Sequence, residues 1–488
     1  EAWLVFDQMT DHNLISWNSL LSGYAQNGQG VRAMSLLRQM IQEGTMPNKI
    51  TFVSSIDACA SLGEERQGKH LHASIRSAGF ELDIVLGTAL IHMYGKCHCI
   101  IDAWDIFHMM NELDTACWNA IITAYSQHEE SDLALQLFFQ MHEEGGVPDK
   151  ITFVSVIASC SDENYFREGK RLHARIALSW LNSDTNIGNS LINMYGKCGS
   201  LKDAHLFFDL MLKRDNISYV NMFSLYASKA ALLEGRRLHT SILGTRIEAD
   251  TVVGNALINM YGKCGSLDYA NSLFKRMPEK NVVSWNGMLS VYAQNGLGEN
   301  ALNLFGRMRA NGVIPNAVTL VCVLSACSHA GLLNEGYGCF YSMTHKHSMP
   351  PNADHYNCMI DMLARAGMLD EAEELIKRIP FTPSVVTWTT LLGACRNQVD
   401  AERAARAAHR LLRLDPIKSS AYVTLSNIFN AAGRGEDAAF AINMMKAYSL
   451  QHTHNDVVDE MNNISGSMSF DDIKSLKMEI EEEYVIAC

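Results

Sequence analysis

Three short segments of the chain hold the His, Cys and Glu residues from which a zinc-dependent site could be built. Residues 128–130 and 142–144 both read HEE and so match H-x-E, in which the His binds zinc and the Glu moves protons. Such a site also needs a C-x-x-C pair as further ligands, and no C-x-x-C occurs in the 488 residues. Residues 97–99 (CHC) are spaced too closely for a standard structural zinc site. We therefore expect no catalytic residue, no metal ligand, no cofactor and no small-molecule substrate.

The remaining patterns are internal repeats. The segment NMYGKCGSL occurs at residues 193–201 and again at 259–267, and a divergent copy, HMYGKCHCI, begins at residue 92. A second pair of related segments, KITFVSSIDACAS and KITFVSVIASCS, begins at residues 49 and 150, which are 101 residues apart. The shorter spacing of 66 residues is 101 less one unit of 35. The chain is therefore predicted to consist of units of 35, 35 and 31 residues, with one unit lost between residues 215 and 250.

Each unit has the pattern of a helical hairpin. In residues 185–215, Leu191, Met194 and Tyr195 are spaced to share one face of a helix. Gly199 is expected to end that helix in the left-handed conformation. Ser200, with an acidic residue three places later, resembles a capping box that opens the next helix. Two short amphipathic helices cannot bury both apolar faces alone, so the units are expected to stack into an all-α superhelix.

The residues of the units identify their family by resemblance. VVSWNGMLSVYAQNGLGENALNLFGRMRANGVIPN (282–316) resembles a pentatricopeptide repeat along its whole length. YGKCGSLDYANSLFKRMPEKN and LLEGRRLHTSI resemble the short and long variants of the plant PLS subclass. The resemblance implies a right-handed superhelical α-solenoid, similar to tetratricopeptide repeats, with a partial repeat at 1–13 and eleven ordinary, long and short repeats at 14–384. Residues 385–450 resemble two trailing E-type hairpins of organellar RNA-editing factors, and 451–488 form an acidic degenerate tail in which the deaminase (DYW) domain of many relatives is lacking.

In relatives, the fifth and the last residue of each repeat select one RNA base. The residues that the resemblance assigns to this role are the pairs Asn18 and Asn48, Thr88 and Asp114, Asn119 and Asp149, Asn189 and Asp215, Asn255 and Asn281, Asn286 and Asn316, and Asn357 and Ser384. The implied target is 5′-Y-n-G-U-n-U-n-Y-Y-n-C-3′, in which Thr88 and Asp114 read G. Branched residues at the second place, such as Ile15, Val252 and Val283, would sandwich the bases.

The same residues have a purely structural interpretation, because Asn and Asp are common caps at helix starts. Capping alone does not predict the alternation of residue types at the fifth place. There, ordinary and short repeats carry Asn or Thr, whereas the long repeats carry Val53, Val154, Val220 and Val321. Since valine has no hydrogen-bonding group, these four repeats should read little or nothing. The alternation favours base reading over capping alone.

Charge and composition limit the partners. The net charge is −13, of which −7 lies in residues 451–488, so strong phosphate-driven binding of nucleic acid is not expected. No apolar run approaches the ~20 residues of a membrane span, and 13 scattered Cys residues favour a reducing compartment. The first residues, EAWLVFDQM, are expected to continue a repeat already begun, so that a targeting segment is missing from this chain.

The resemblance to the pentatricopeptide repeat family implies a sequence-specific single-stranded RNA-binding protein of the mitochondrion or chloroplast. Its most specific predicted role is site recognition for C-to-U editing, with a deaminase-bearing protein acting in trans. The alternatives are an organellar RNA stability, splicing or translation factor, and a protein-binding helical scaffold from a decayed gene. The alternating repeat variants and the trailing motifs favour the editing role.

Overall fold

The computed structural model of the chain describes residues 2–9, 11–80, 82–347, 349–416 and 418–451. This part of the chain contains 27 α-helices and two short 3-10 helices, and no β-strand occurs in it. In chain order the α-helices are α1 (Ala2–Asp7), α2 (Leu14–Gln26), α3 (Gly30–Gln42), α4 (Lys49–Leu62), α5 (Glu65–Ser77), α6 (Ile84–Lys96), α7 (Ile100–Met109), α8 (Thr115–Gln127), α9 (Ser131–Glu143), α10 (Lys150–Ser159), α11 (Phe166–Ala177), α12 (Thr185–Lys197), α13 (Leu201–Leu210), α14 (Asn216–Ser228), α15 (Leu232–Ile242), α16 (Thr251–Lys263), α17 (Leu267–Arg276), α18 (Val282–Gln294), α19 (Gly298–Ala310), α20 (Ala317–Ala330), α21 (Leu333–His347), α22 (Ala353–Arg365), α23 (Leu369–Arg378), α24 (Val385–Gln398), α25 (Ala401–Leu414), α26 (Ser419–Ala431) and α27 (Gly435–Gln451). The predicted all-α class is confirmed. The predicted acidic tail lies outside the described residues.

From α2 onward the helices form antiparallel hairpins, in which the even-numbered helix comes first. The first helices begin at the first residue of each predicted repeat, for example at Leu14 in α2 and Lys49 in α4. The residue just before is the N-cap, and its side-chain oxygen accepts a backbone N–H of the new helix, as Asn48 does from Thr51. The helix start is thus set locally by a polar cap followed by an apolar run.

The hairpins belong to two compact units, Glu1–Glu279 and Lys280–Cys488. Within the first unit, α2 packs on α4, α4 on α6, and so on to α14 on α16. Within the second unit, α18 packs on α20 and the series continues to α24 on α26. Second helices pack against both their own partner and the first helix of the next hairpin, as α3 does against α2 and α4. Each hairpin therefore buries its apolar stripe against its neighbour, which is the packing of a repeat array.

The turn after the YGKCG segment follows the predicted stop. Gly199 and Gly265 have φ values of +79° and +73°, the left-handed region that glycine adopts without strain. In the divergent copy, His98 stands at this place with φ +59°. The capping box predicted at Ser200 is wrong, because its hydroxyl donates to the Asp203 carboxylate at 2.7 Å and caps no backbone N–H. Because the Asp203 carboxylate accepts its hydroxyl, the Ser200 side chain makes no hydrogen bond to a backbone N–H of α13.

Candidate nucleic-acid interface

The candidate base-reading residues Asn119 and Asp149 are joined by a hydrogen bond between their side chains. Asp149 is the N-cap of α10, and its carboxylate accepts the backbone N–H of Thr152 at 3.0 Å. Asn119 lies in the first helix of the same predicted repeat, one turn into α8, and its Nδ2 donates to Asp149 Oδ1 at 3.0 Å. Besides capping its helix, Asp149 therefore holds the carboxamide of a residue 30 positions earlier.

The same hydrogen bond recurs in other predicted pairs. The Nδ2 atom of the fifth residue lies 3.1 Å from the side-chain oxygen of the last residue in the pairs Asn18 with Asn48, Asn189 with Asp215 and Asn286 with Asn316. The fifth residues of these pairs are buried or half-buried. The structure thus brings together, within each unit, residues that the sequence places 26 to 30 positions apart.

Asn316 shows that the pair forms without a carboxylate. Asn316 is exposed and is the N-cap of α20, where its Oδ1 accepts the backbone N–H of Thr319 at 3.0 Å. The same oxygen accepts the Nδ2 of Asn286 at 3.1 Å and lies 2.9 Å from the Thr319 hydroxyl oxygen. Capping and contact with the fifth residue therefore coexist at Asn316, so the structural interpretation holds there, and base reading by this residue stays a prediction.

The other predicted pairs differ in geometry. Thr88 Oγ1 lies 3.1 Å from the Cys117 thiol, while Asp114 accepts the Cys117 backbone N–H at 2.9 Å, so Cys117 stands between the two predicted readers. Asn357 Oδ1 accepts the Thr387 hydroxyl at 2.7 Å. Ser384 is the N-cap of α24.

Asn255 lies in the first compact unit and Asn281 in the second. The Asn255 Oδ1 atom is buried and has no hydrogen-bond partner among the described residues. Asn281 is the N-cap of α18 and accepts the backbone N–H of Ser284 at 3.1 Å.

The aspartates of two pairs are held in the ionised form. Burial by itself would raise the pKa of Asp149, but the hydrogen bonds from the Thr152 backbone and the Asn119 carboxamide outweigh it and lower the pKa. The pKa of Asp215 is lowered in the same way by Ser218 and Asn189. A carboxylate only accepts hydrogen bonds, so each partner asparagine must present its NH₂ group to it. One further N–H and one oxygen lone pair of each asparagine remain for a base edge.

The long repeats are built differently at the same places. Val53 and Val154 offer no polar atom, and the last residues Asp83 and Asp184 are instead paired with the first residue of their own repeat. Lys150 lies 2.9 Å from the Asp184 carboxylate, and Lys49 pairs with Asp83. These aspartates still cap α6 and α12. Residue type at the last place alone therefore does not mark a reading pair.

A set of branched aliphatic side chains is exposed at the second place of the repeats. Ile15, Val252 and Val283, the three named from the sequence, are 75%, 58% and 55% exposed. Further side chains of this kind were not named from the sequence, although each is a β-branched residue two places after a cap. The exposed residues at the second place of other repeats are Ile50, Val85, Ile151, Ile217 and Val318, and Val386 has the same place in the first trailing hairpin. An apolar side chain repeatedly left in water one turn from a polar pair suits the flat face of a base.

The segments that resembled zinc ligands lie at the ends of helices and in the turns between them. His128 Nδ1 lies 2.7 Å from the Ala124 carbonyl at the end of α8, and Glu129 occupies a turn with φ +62°. Cys97 and Cys99 are buried free thiols. No group of three potential metal ligands was found in the part of the chain that the structure describes. In the same part, no helix is both long and apolar enough to cross a membrane.

Comparison with known proteins identifies the family. A pentatricopeptide repeat-containing protein of Arabidopsis thaliana is 34% identical over 471 residues, which cover 90% of this chain and 77% of the relative. The chain belongs to the pentatricopeptide repeat family. The PPR repeat family matches residues 12–61, 113–162 and 280–329, and further PPR repeats match 88–114, 189–216, 255–282, 318–347 and 347–379. The E motif matches residues 398–453.

This pentatricopeptide repeat protein covers differing shares of its relatives. A second Arabidopsis thaliana family member is 34% identical over 99% of this chain, which spans only 53% of that relative's length. A third, named as chloroplastic, is 32% identical, and the chain spans 64% of it. Among solved structures, PPR10 from maize matches 90% of this chain and 69% of its own with 20% identity and a TM-score of 0.49. A structure of PPR10 with an 18-nucleotide psaJ RNA element matches with 17% identity and a TM-score of 0.41, over 92% of this chain and 77% of that one.

Proposed function

We propose that this chain binds single-stranded RNA in a sequence-specific manner, and that the pairs of fifth and last residues read the bases. The observation that carries the proposal is the recurrence of the Asn Nδ2 hydrogen bond to the cap oxygen in four predicted pairs. Each pair leaves part of a carboxamide available beside an exposed aliphatic side chain. A carboxamide offers a donor and an acceptor side by side, which suits a pyrimidine edge, while an aliphatic side chain suits the base plane.

The charge of the chain indicates how this binding would be driven. The net charge of −13, and the engagement of Lys49 and Lys150 by aspartates, leave a limited contribution from phosphates. Affinity would then depend on base contacts, and it should fall less steeply with salt than that of a phosphate-driven binder.

Within this function, we propose that the chain recognises sites of C-to-U editing in organellar transcripts and that a deaminase-bearing protein acts in trans. The E motif at residues 398–453 supports this role, because such motifs follow the repeats in editing factors that the sequence resembles. Relatives named as chloroplastic and mitochondrial support an organellar location. The editing role predicts that plants lacking this chain lose conversion of a C that lies a few nucleotides after the predicted target sequence.

The first test is binding at fixed salt to three short RNAs: the predicted sequence, the same sequence with its G changed to A, and a scrambled sequence. We expect the predicted sequence to bind most tightly and the change of G to A to weaken binding severalfold. Equal weak binding to all three RNAs would contradict base reading and favour the alternative of a protein-binding scaffold.

A matched variant links the preference to one side chain. Thr88→Asn should move the preference at the third base from G toward a pyrimidine and leave the other bases unaffected, because only the fifth residue of that repeat is changed. The melting curve by circular dichroism should stay close to that of the unmodified chain. A variant that binds the G-containing RNA as before would exclude Thr88 as a reader.

A further inference from the structure

A buried hydroxyl accompanies each asparagine pair that lies within one unit. It belongs to the third residue of the following repeat and donates to the carboxamide oxygen of the fifth-place asparagine. The distances are 2.6 Å for Thr51 to Asn18, 2.6 Å for Thr152 to Asn119, 2.7 Å for Ser218 to Asn189, 2.7 Å for Thr319 to Asn286 and 2.7 Å for Thr387 to Asn357. All five hydroxyl residues are at most 2% exposed.

Each of these hydroxyls also belongs to a capping box, in which it accepts the backbone N–H of the N-cap residue, as Thr51 does from Asn48 at 3.1 Å. Helices of the same array are nevertheless capped without such a hydroxyl. Asp83 and Asp184 cap their helices through the backbone N–H groups of Leu86 and Ile187, which have no hydroxyl. These two third-place residues follow long repeats, whose fifth residue is valine. Third-place residues after the other two long repeats are Val253 and His355, so none of the four carries a hydroxyl. The hydroxyl thus occurs where an asparagine stands at the fifth place of the preceding repeat.

The direction of each hydrogen bond fixes the orientation of the carboxamide. Asp149 is an acceptor, so the Nδ2 of Asn119 faces it, and the Thr152 hydroxyl donates to the remaining side of the carboxamide, Oδ1. A flipped carboxamide would place Oδ1 against the carboxylate, which is repulsive, and would lose the hydroxyl's short hydrogen bond. Flipping would also exchange the donor and the acceptor that a base meets, and this exchange separates uracil from cytosine.

At Asn357 the hydroxyl is the sole restraint. Thr387 Oγ1 is the one hydrogen-bond partner of the Asn357 side chain among the described residues. The hydroxyl oxygen of Ser384, the last residue of that repeat, lies 3.2 Å from Thr387 Oγ1 and makes no hydrogen bond to the asparagine among the described residues. Removal of the Thr387 hydroxyl would therefore leave the Asn357 carboxamide without an orienting contact.

We propose that the third-place Thr or Ser is a positioning residue for base reading, which holds the preceding repeat's asparagine in one orientation and so separates C from U. This inference rests on the proposed RNA-binding function and adds a residue to the pairs that determine specificity. Base preference at one repeat would then also depend on a residue of the next repeat, because the third-place residue lies 29 to 33 positions beyond the asparagine.

The test compares three variants at the base read by Asn357, using the predicted RNA with its final C or with U in that place. Thr387→Val removes the hydroxyl at nearly constant volume and should reduce the C-to-U preference by about three- to tenfold. Thr387→Ser keeps the hydroxyl and should restore it. Thr389→Val is the matched control, because among the described residues that hydroxyl bonds only to the Val385 carbonyl of its own helix, at 2.7 Å, and it should leave the preference unchanged.

A substitution at a second site tests the same role independently, in case Thr387→Val does not fold. Thr152→Val should reduce the preference for U over C at the base of Asn119 by a smaller factor, about two- to threefold, because Asp149 still holds Nδ2. Unchanged preferences in Thr387→Val and Thr152→Val, measured on folded protein, would overturn the positioning role while leaving base reading intact. Absence of any base preference in the unmodified chain would instead overturn the proposed function itself.

Discussion

Two classes of repeat use the same residue at the same place for different purposes. Asp149, in an ordinary repeat, caps α10 and holds the carboxamide of Asn119. Asp184, in a long repeat, caps α12 and pairs with Lys150. Both caps set the start of a helix, but only the first has a partner whose remaining polar atoms are available to a base. The fifth residue, rather than the cap, decides the difference.

Long repeats are also distinguished by the way they pack on the next hairpin. Their second helices each contain a glycine against which a methionine of the following first helix lies, and a Cβ atom added there would approach that methionine within 2.2–3.0 Å. The contacts are Gly68 with Met93, Gly169 with Met194, Gly235 with Met260 and Gly336 with Met362. Glycine at these places leaves room for the methionine side chain.

Three long repeats add a polar contact beside that glycine. The side chains of His72, His173 and His239 lie 2.7–2.9 Å from the hydroxyls of Tyr94, Tyr195 and Tyr261 in the next first helix. Long repeats therefore contribute a recurrent geometry at the hairpin interface and little at the candidate reading surface. This division predicts that stability and base preference respond to different substitutions.

The largest expected effect is on the core, where the two classes should not differ. Leu257 is fully buried in α16 of a short repeat, so Leu257→Ala should lower the free energy of unfolding by about 2–5 kcal/mol through lost contacts and a residual cavity. Base preference should be unchanged, because the side chain is not part of a reading pair. Denaturant unfolding and RNA competition check the two expectations. A change in base preference of the folded variant would contradict the separation of stability from base preference.

A smaller effect is expected at the glycine interface. Gly169→Ala should destabilise the fold by about 1–3 kcal/mol, because the new Cβ atom would lie 2.3 Å from Met194 Sδ and the methionine must move. Gly306 lies in α19 with nothing within 4 Å of an added Cβ atom, so Gly306→Ala is the matched control and should stabilise by about 0.5–1 kcal/mol. Equal effects of the two substitutions in thermal or denaturant unfolding would contradict close packing in the long repeats.

Much of this arrangement follows from the sequence because its causes are local. Asn48 and Asp149 were recognisable as helix caps, and Gly199 as a helix stop, since each acts on residues within one turn. The prediction at Ser200 failed because Asp203 accepts its hydroxyl, and the pattern of residue types does not reveal which acceptor wins.

Contacts between helices could not be predicted in the same way. Asp149 and Asp184 are the same residue at the same place, yet one meets Asn119 and the other Lys150, 30 and 34 positions away. The Thr152 hydroxyl reaches Asn119 across 33 positions. The polar neighbour that a side chain contacts depends on how adjacent hairpins pack against each other. A repeat pattern specifies the residue types but does not specify that packing.

The buried His239 and the half-buried His72 and His173 of the long repeats make the stability of the fold depend on pH. Burial lowers the pKa of His72, His173 and His239, so the folded chain keeps them neutral where the unfolded chain, with pKa values near 6.5, begins to bind protons. The unfolded state therefore binds more protons as the pH falls below about 6.5, and stability should decrease from there downward and be retained above it. Denaturant unfolding at pH 7.5 and 5.5 measures the difference.

The variant with all three histidines changed to glutamine tests how much of the decrease in stability at low pH these residues cause. Its stability should fall less between the two pH values, because glutamine does not titrate. The fall should not disappear, since burial also lowers the pKa of His92, His355 and His409. A triple variant that loses stability as steeply as the unmodified chain would show that the long-repeat histidines are not the source.

The smallest effect concerns the divergent copy of the repeated segment, where His98 adopts φ +59° in place of the glycine found at Gly199 and Gly265. A residue with a Cβ atom is strained in this region, so His98→Gly should stabilise the fold by up to about 1 kcal/mol. Gly265→Ala provides the reverse change, because an added Cβ atom meets nothing within 4 Å and only the backbone term, about 1 kcal/mol of destabilisation, remains. Opposite shifts in the unfolding midpoint would show that the copy has kept its turn despite losing the residue that favours it. If His98→Gly instead destabilised the chain, the contact of the His98 ring with His128, at a centroid distance of 5.1 Å, would have to outweigh the backbone strain.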